Sequence, residues 1–520
     1  MKIVKVFFIM VLFNITLNIN VQAADTVCHG AEGDRASPAG VRSGASLPAK
    51  RSCLNPDVAR LIGTKRMDIP SGMVVDKNGN AYISGETKGF DDTSAGDLFL
   101  LKLSPSGETE WMVTYGGKKD EGIRAHDANT EGDGQSSMID IDDQGNIYVI
   151  GRGKSYQGTY AGIALKFNAE GKLLWDKHYR PFWKGTANSE VEFNAVAVHN
   201  GIVHIVGIYA GAQALIYALD AKTGGTVARL AMDPSPKFRD ILYSLVVDPS
   251  GKSVYVGGWS GSGPRGLLMK IDFTGTAYKV NWARKIPLPW GSNFPAMVVD
   301  NASGLYVVAD IHGASTYSEL HKYDTHKGKL KWVRHYNKGV NNGKTQTHVI
   351  KLLGDKLIVG GKIGFTGTYT YAHNKGDAFF IILDRKGNLE KEYYFFTGTR
   401  PFSLDAIKDI EVHGNDLYIM GWHWGEASIG EWRIPADYKA IKHPWTKGDR
   451  RDYRAKKIKV ISNDLSTTSK IKDGSSLKEY TFDDEAGDYI YNEIPKKGLK
   501  RPSSTSVYFF IFKQYMDSVK

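Results

Sequence analysis

Apolar and polar positions alternate in short runs along most of the chain, and Asp, Asn and Gly break the runs at regular places. Val75-Asp76-Lys77-Asn78-Gly79-Asn80-Ala81-Tyr82-Ile83-Ser84-Gly85 returns as Ile141-Asp142-Asp143-Gln144-Gly145-Asn146-Ile147-Tyr148-Val149-Ile150-Gly151. It returns again as Val247-Asp248-Pro249-Ser250-Gly251 with Val254-Tyr255-Val256-Gly257, and in weaker form over 198–207, 299–309, 353–360 and 412–421. An apolar strand, a tight Asp/Asn/Gly turn and a second alternating strand predict a hairpin. A second phrase follows each hairpin. In the first unit Asp97-Leu98-Phe99-Leu100-Leu101-Lys102-Leu103 leads through Ser104-Pro105-Ser106-Gly107 to Trp111, and later units lead to Trp175, Trp282 and Trp332. Each unit is therefore expected to hold four antiparallel strands.

The turn glycines Gly79, Gly145, Gly201, Gly251, Gly304, Gly354 and Gly414 recur at a mean spacing of about 56 residues. Seven four-stranded units of that length point to an all-β fold, a seven-bladed β-propeller whose ring closure protects sheet edges. An open β-solenoid would need shorter units. The last unit begins near 407–412 and 417–421, and its third strand is expected only at Val507-Tyr508-Phe509-Phe510-Ile511-Phe512-Lys513. Its fourth is then expected from 58–69, so the N-terminal segment closes the ring.

The hairpin phrase Asp-x-x-Gly-Asn-x-Tyr-x-x-Gly and the following Leu-Ser-Pro-Ser-Gly-x-x-x-Trp resemble the seven-bladed β-propeller repeat (SBBP) family. The likeness is clear in units one and two, fair in unit four and thin elsewhere, across about 58–426 and the final strand. The resemblance implies a fold and no single activity.

Composition agrees: 57 Gly, 27 Tyr, 21 Phe and 11 Trp among 520 residues favour strands joined by turns. Lys2 and Lys5, an apolar stretch interrupted by Asn14 and Asn18, and Val21-Gln22-Ala23 read as a signal peptide over 1–23. The expectation is a secreted or periplasmic protein with no transmembrane segment after cleavage. A leader, 24–57, precedes the propeller at 58–426 and 506–520. Its Cys28 and Cys53 are expected to form a disulfide. Cys28-His29-Gly30 looks like part of a haem-attachment motif, but Asp25 stands where its first cysteine belongs.

The formal charge of +11 is local. Nine basic residues between Lys439 and Lys459 face only Asp449 and Asp452. They lie in an insertion, 427–505, which also carries Trp432, His443, Trp445, Tyr453 and an acidic part with Asp483, Asp484, Glu485, Asp488 and Glu493. Two readings stand side by side. The acidic part folds onto the basic part as a small subdomain, or the basic part docks on a partner protein, an anionic glycan or a membrane surface. Nucleic acid is not expected for an exported chain.

The links from second to third strand, and from fourth strand to the next unit, are the long ones, and both emerge on one face. Function is expected there, since loops on a rigid scaffold carry most sites. Candidate binding residues are Trp259, Trp290, Trp422, Trp424, Trp445, Arg450 and Arg451, and Tyr209 and Arg400 share the face. The main reading is a binding or assembly module for a protein partner or glycan. Whether the chain is an enzyme stays open. One alternative is a metal-dependent oxidoreductase with His126, His312, His373 and His423 as ligands, imidazole suiting Zn, Cu or Fe. The other is an anionic-polysaccharide lyase with His126 as base, Arg124 or Arg265 for charge and His423 as a second imidazole. Which cofactor, if any, the protein uses stays open. The Asp-x-x-Gly turns lack the spaced carboxylates of a calcium loop and read as turns. The Trp residues of the repeats read as packing. Asn301-Ala302-Ser303 is a formal glycosylation triplet in a tight turn.

Overall fold

The computed structural model describes the strands between Val58 and Tyr515 and the turns that join them. It leaves aside 1–57, 63–67, 89–95, 117–120, 123–137, 183–190, 366–376, 396–403, 425–444, 448–455, 465–475, 481–489, 495–506, 516–520 and shorter gaps between strands. The signal peptide, the leader and the Cys28–Cys53 pair lie outside the described residues.

The chain is an all-β propeller. Blade one holds Asp68–Val75, Ala81–Thr87, Asp97–Leu103 and Thr109–Gly116, ordered from the axis outward. Blades three to six repeat this meander, starting at Val191, Asp240, Asn293 and Lys344. Blade seven is assembled from distant pieces: Leu404–His413, Asp416–Trp424, Val507–Tyr515 and Val58–Ile62. Val58 pairs with Lys513 and Ile62 with Phe509, so the N-terminal strand closes the ring. The closing strand is shorter than 58–69, because Asp68 and Ile69 already belong to blade one.

Blade two departs from the expected seven like-built units. Among the described residues, six sheets have four strands of at least five residues, while in blade two Ile139–Ile141 and Glu121–Gly122 pair along the same neighbour, Ile147–Gly153.

The core sits between blades, where the facing sides of adjacent sheets interlock. Ala195, Ile216 and Leu230 of blade three meet Leu242, Val256 and Met269 of blade four. Met73, Ile83 and Leu101 of blade one meet Tyr418, Met420 and Ile511 of blade seven. Sheet-to-sheet packing leaves little space at the second strand. A Cβ added at Gly258 would strike the Ile241 carbonyl oxygen, and one at Gly207 would strike that of Glu192. In both blades the inner strand bulges beside the glycine, between Leu242 and Ser244 and between Phe193 and Ala195. The bulge pushes its backbone onto the second strand, and only glycine accommodates it.

The described strands of the insertion pair with the blades and not with one another. Trp424 and Val507 stand opposite each other in blade seven, so the chain leaves and re-enters the ring at one point. In between, Trp445–Lys447 pairs with the outer strand of blade five, Lys456–Lys457 with blade four, and Ile461–Asp464 with blade three. Ser476–Tyr480 then pairs with blade two and Ile490–Ile494 with blade one. The insertion's described strands form a strap along blades five to one and add a fifth strand to five sheets. The basic strands Trp445–Lys447 and Lys456–Lys457 are anchored on blades five and four, and Glu493 on blade one. Three blade positions separate these anchors.

Candidate functional site

The two faces of the wheel are built differently. On one, the first hairpin turn of blades one, two, four and five is closed by its own Asp. The Asp76 carboxylate accepts the backbone N–H groups of Asn78 and Asn80, at 2.8 and 2.9 Å, and the Tyr82 hydroxyl at 3.2 Å. Asp142 repeats the pattern with Gln144, Asn146 and Tyr148. Partial burial pushes these carboxyls up, but the hydrogen bonds outweigh it and hold both below the ordinary Asp value. Their oxygens are engaged in turn closure, which fits a turn and not a cation loop. Trp111, Trp175, Trp282 and Trp332 lie toward this side. Each packs against a turn glycine of the next blade (Gly171, Gly224, Gly328, Gly387) and beside a tyrosine of its own blade. These tryptophans are packing between blades, as expected.

On the opposite, long-loop face, charged groups are buried at the strand ends. Arg152 of blade two bonds Glu192 of blade three at 2.9 Å, with its guanidinium 4.2 Å from the Tyr160 ring. Asp310 of blade five accepts the Thr347 N–H of blade six at 2.8 Å. Lys362 of blade six lies 5.8 Å from the Trp422 ring of blade seven. Arg265 lies 5.9 Å from the Trp259 ring and donates to the Gly261 carbonyl at 2.9 Å. These links tie neighbouring blades, or the two limbs of one loop, directly beneath the long loops. They make the loop bases rigid.

Of the candidates named from sequence, the structure therefore places Trp259 and Arg265 together and partly exposed. Trp422 is 3% exposed and Tyr209 1%, so both pack rather than present a surface. The backbones of His423, Trp424 and Trp445 are in strands, and their side chains lie outside the description. Arg124, His126, Trp290, His312, His373, Arg400, Arg450 and Arg451 lie outside the described residues. Among the described residues, no three His, Cys, Asp or Glu side chains form a metal-binding group.

Sequence reasoning missed a polar cluster on the inner strands. Lys351 of blade six donates to Glu411 of blade seven at 2.5 Å and lies 3.8 Å from Asp409. Asp409 accepts the Met73 N–H of blade one at 3.0 Å, and Asp140 of blade two accepts the Val198 N–H of blade three at 2.6 Å. Burial pushes Asp140 up to about 6, against the pull of those backbone donors. Asp409 is likewise raised by burial, with Lys351 opposing. Burial pushes Lys351 down, but Glu411 and Asp409 outweigh it and raise its pKa. The alternation around Asp140, Lys351, Asp409 and Glu411 shows in the sequence only as polar residues in inner strands. Their partnership crosses blades, and no local pattern encodes it.

Comparison with known proteins gives a match to the SBBP β-propeller repeat model over residues 59–91. No curated protein matches the sequence. Three solved structures are similar at low identity. The quinohemoprotein alcohol dehydrogenase of Comamonas testosteroni is 12% identical, with 72% of this chain and 69% of that chain covered and a TM-score of 0.37. A putative 6-phosphogluconolactonase of Bacteroides uniformis is 12% identical, covering 78% and 99%, with a TM-score of 0.38. A protein of unknown function from Dyadobacter fermentans is 11% identical, covering 74% and 96%, with a TM-score of 0.39.

Proposed function

We propose, taking as premise a β-propeller that carries an SBBP repeat, that the protein is an exported binding or assembly module and holds its partner on the long-loop face. One observation carries this reading. Buried ionic and cation–aromatic links between blades, such as Arg152–Glu192 and Lys362–Trp422, collect beneath that face, while the other face ends in short turns, several of them closed by an Asp of their own. A stiff base under variable loops suits recognition, because little ordering entropy is lost when a partner binds. The partner is a protein or a glycan.

The test is site-specific photocrosslinking in the producing cell. A benzophenone amino acid at Trp259, partly exposed on the long-loop face, is expected to give a discrete adduct. The same probe at Asn78 or Gln144, on the turn face, is expected to give none. Equal labelling from both faces, or none from either, removes the reading. Purified protein incubated with ulvan, alginate or pectin is expected to leave the ultraviolet absorbance unchanged. A rise from an unsaturated uronate would replace binding with β-elimination.

A further inference from the structure

At the long-loop end of blade four a guanidinium is buried along one edge without a counter-charge. Arg239 stands immediately before the inner strand Asp240–Val247. Its carbonyl accepts the Gly261 N–H at 2.7 Å, which extends by one step the pairing of Asp240 with Ser260 and Ile241 with Trp259. The side chain is partly exposed, but its Nε and Nη2 are shut off from water, and neither has a hydrogen-bond partner. Burial pushes its pKa below the ordinary arginine value, and Tyr243, not a carboxylate, is the group that opposes this. Arginine keeps its proton in proteins, so the charge is not removed by titration. A charge buried without a partner is strongly destabilising.

The two nitrogens form a chemically meaningful pair. Nε–H and the nearer Nη2–H run parallel along one edge of the planar guanidinium, and that edge takes both oxygens of a carboxylate in a forked pair. The backbone that carries it is held firmly. On the far side of the Ser260–Gly261 corner, the Arg265 carbonyl accepts the Ser260 N–H at 2.8 Å, and Arg265 Nη1 donates to the Gly261 carbonyl at 2.9 Å. Arg265 is thus engaged with the corner and with the Trp259 ring, and it is not counted as a second cation for a ligand. Arg239 stands opposite Gly261 and Ile241 opposite Trp259, so Arg239 and Trp259 are diagonal neighbours on one face of the sheet. The fork therefore has a partly exposed indole beside it.

We propose that Arg239 is a carboxylate-binding site, where a ligand's carboxylate joins the Nε–Nη2 edge beside Trp259 and supplies the counter-charge that the fold lacks. A carboxylate matches the edge better than phosphate does. It is planar, carries one charge and offers two oxygens to two parallel donors, whereas a tetrahedral dianion leaves charge unmatched on a single guanidinium. The carboxylate belongs to a sugar acid or to a simple organic acid. The indole distinguishes the two, because a sugar ring offers it a broad apolar face and a short aliphatic chain does not. This inference rests on the binding-module reading for its place on the long-loop face, and it names the chemistry of what is held there.

The experiment uses the mature full-length chain and reads its thermal midpoint in sodium chloride, glucuronate, propionate or phosphate at equal ionic strength. Glucuronate and propionate are expected to raise the wild-type midpoint above its value in chloride by at least about 1 °C, because they bind the folded state. The variant R239M keeps the length of the side chain and removes the fork. Its midpoint in chloride is expected to equal or exceed that of the wild type, since an unpaired buried cation is gone, and neither carboxylate is expected to shift it. A lower midpoint for R239M in chloride overturns the proposal, because the guanidinium would then already be satisfied within the fold. Equal responses of wild type and R239M, or no response in either, also overturn it. A larger shift with phosphate overturns the ligand class. Glucuronate acting at concentrations at least about tenfold below propionate assigns a sugar acid, and equal potency assigns a simple acid. If the Trp259 probe gives its adduct while carboxylates do nothing, the loop-face reading stands without this site. If carboxylates act through Arg239 and the adduct is absent, the site stands alone as one for a free acid.

Discussion

At the residue scale, Asp140 shows how the wheel handles charge near its axis. Its carboxylate accepts backbone N–H groups from Ile141 and Val198, yet burial dominates and lifts its pKa to about 6. A raised carboxyl has a definite sign in stability. The folded protein holds its proton over a range in which the unfolded chain has released it, so this group's contribution falls as pH rises from about 4 to about 6. Replacing Asp140 by Asn is expected to flatten that part of the urea-unfolding profile. The shift corresponds to at most about 3 kcal/mol between pH 4 and 7. An unchanged slope in the variant would show that Asp140 is not the group responsible. Glycine carries the complementary lesson. Gly207 is recognisable in sequence as the last residue of a repeated phrase and Gly258 as the residue after one, but the reason only glycine fits is the carbonyl of a bulged neighbouring strand.

At the element scale, most strands were legible because a half-buried strand writes its two faces as alternation. The run over 507–513 could be assigned as a third strand in spite of the long gap before it, since Phe509 to Lys513 repeats the pattern of blade one. It lies between Asp416–Trp424 and the closing strand, hydrogen-bonded on both sides. A chain ending at Ser506 should therefore lose more than a tail. It leaves blade seven with two strands and removes the seat of Val58–Ile62. The expected outcome is loss of a cooperative thermal transition by near-ultraviolet circular dichroism. A truncated chain that unfolds as sharply as the parent would show that closure does not hold the ring. The strap strands were not legible. They span two to five residues, too few for periodicity to declare itself, and their identity comes from the edges they meet.

At the scale of the whole molecule, the strap alters how the propeller meets its surroundings. A β-sheet edge exposes unpaired N–H and C=O groups, which invite another chain. Five outer strands are covered by the chain's own insertion. Because Trp424 and Val507 are directly opposed, a short Gly/Asn turn can join them in place of 425–506 without moving either strand. Such a protein is expected to keep its β-sheet spectrum and to self-associate at micromolar concentration in light scattering. A monodisperse product would show that the strap is not needed to guard edges.

The sequence by itself determined the all-β class, the four-strand unit, the Asp-capped turns and the closure by the N-terminal strand. Each of these follows from interactions local to one hairpin or from the repetition of one phrase. Tertiary structure alone decided the Lys351 cluster and which blade edges the strap strands meet. These depend on which strands become neighbours across blades, and backbone hydrogen bonds between distant strands leave almost no trace in side-chain order. The basic run of the insertion was visible from the start. Which edges it meets was set only when the ring placed the outer strands of blades five and four beside Trp445–Lys447 and Lys456–Lys457.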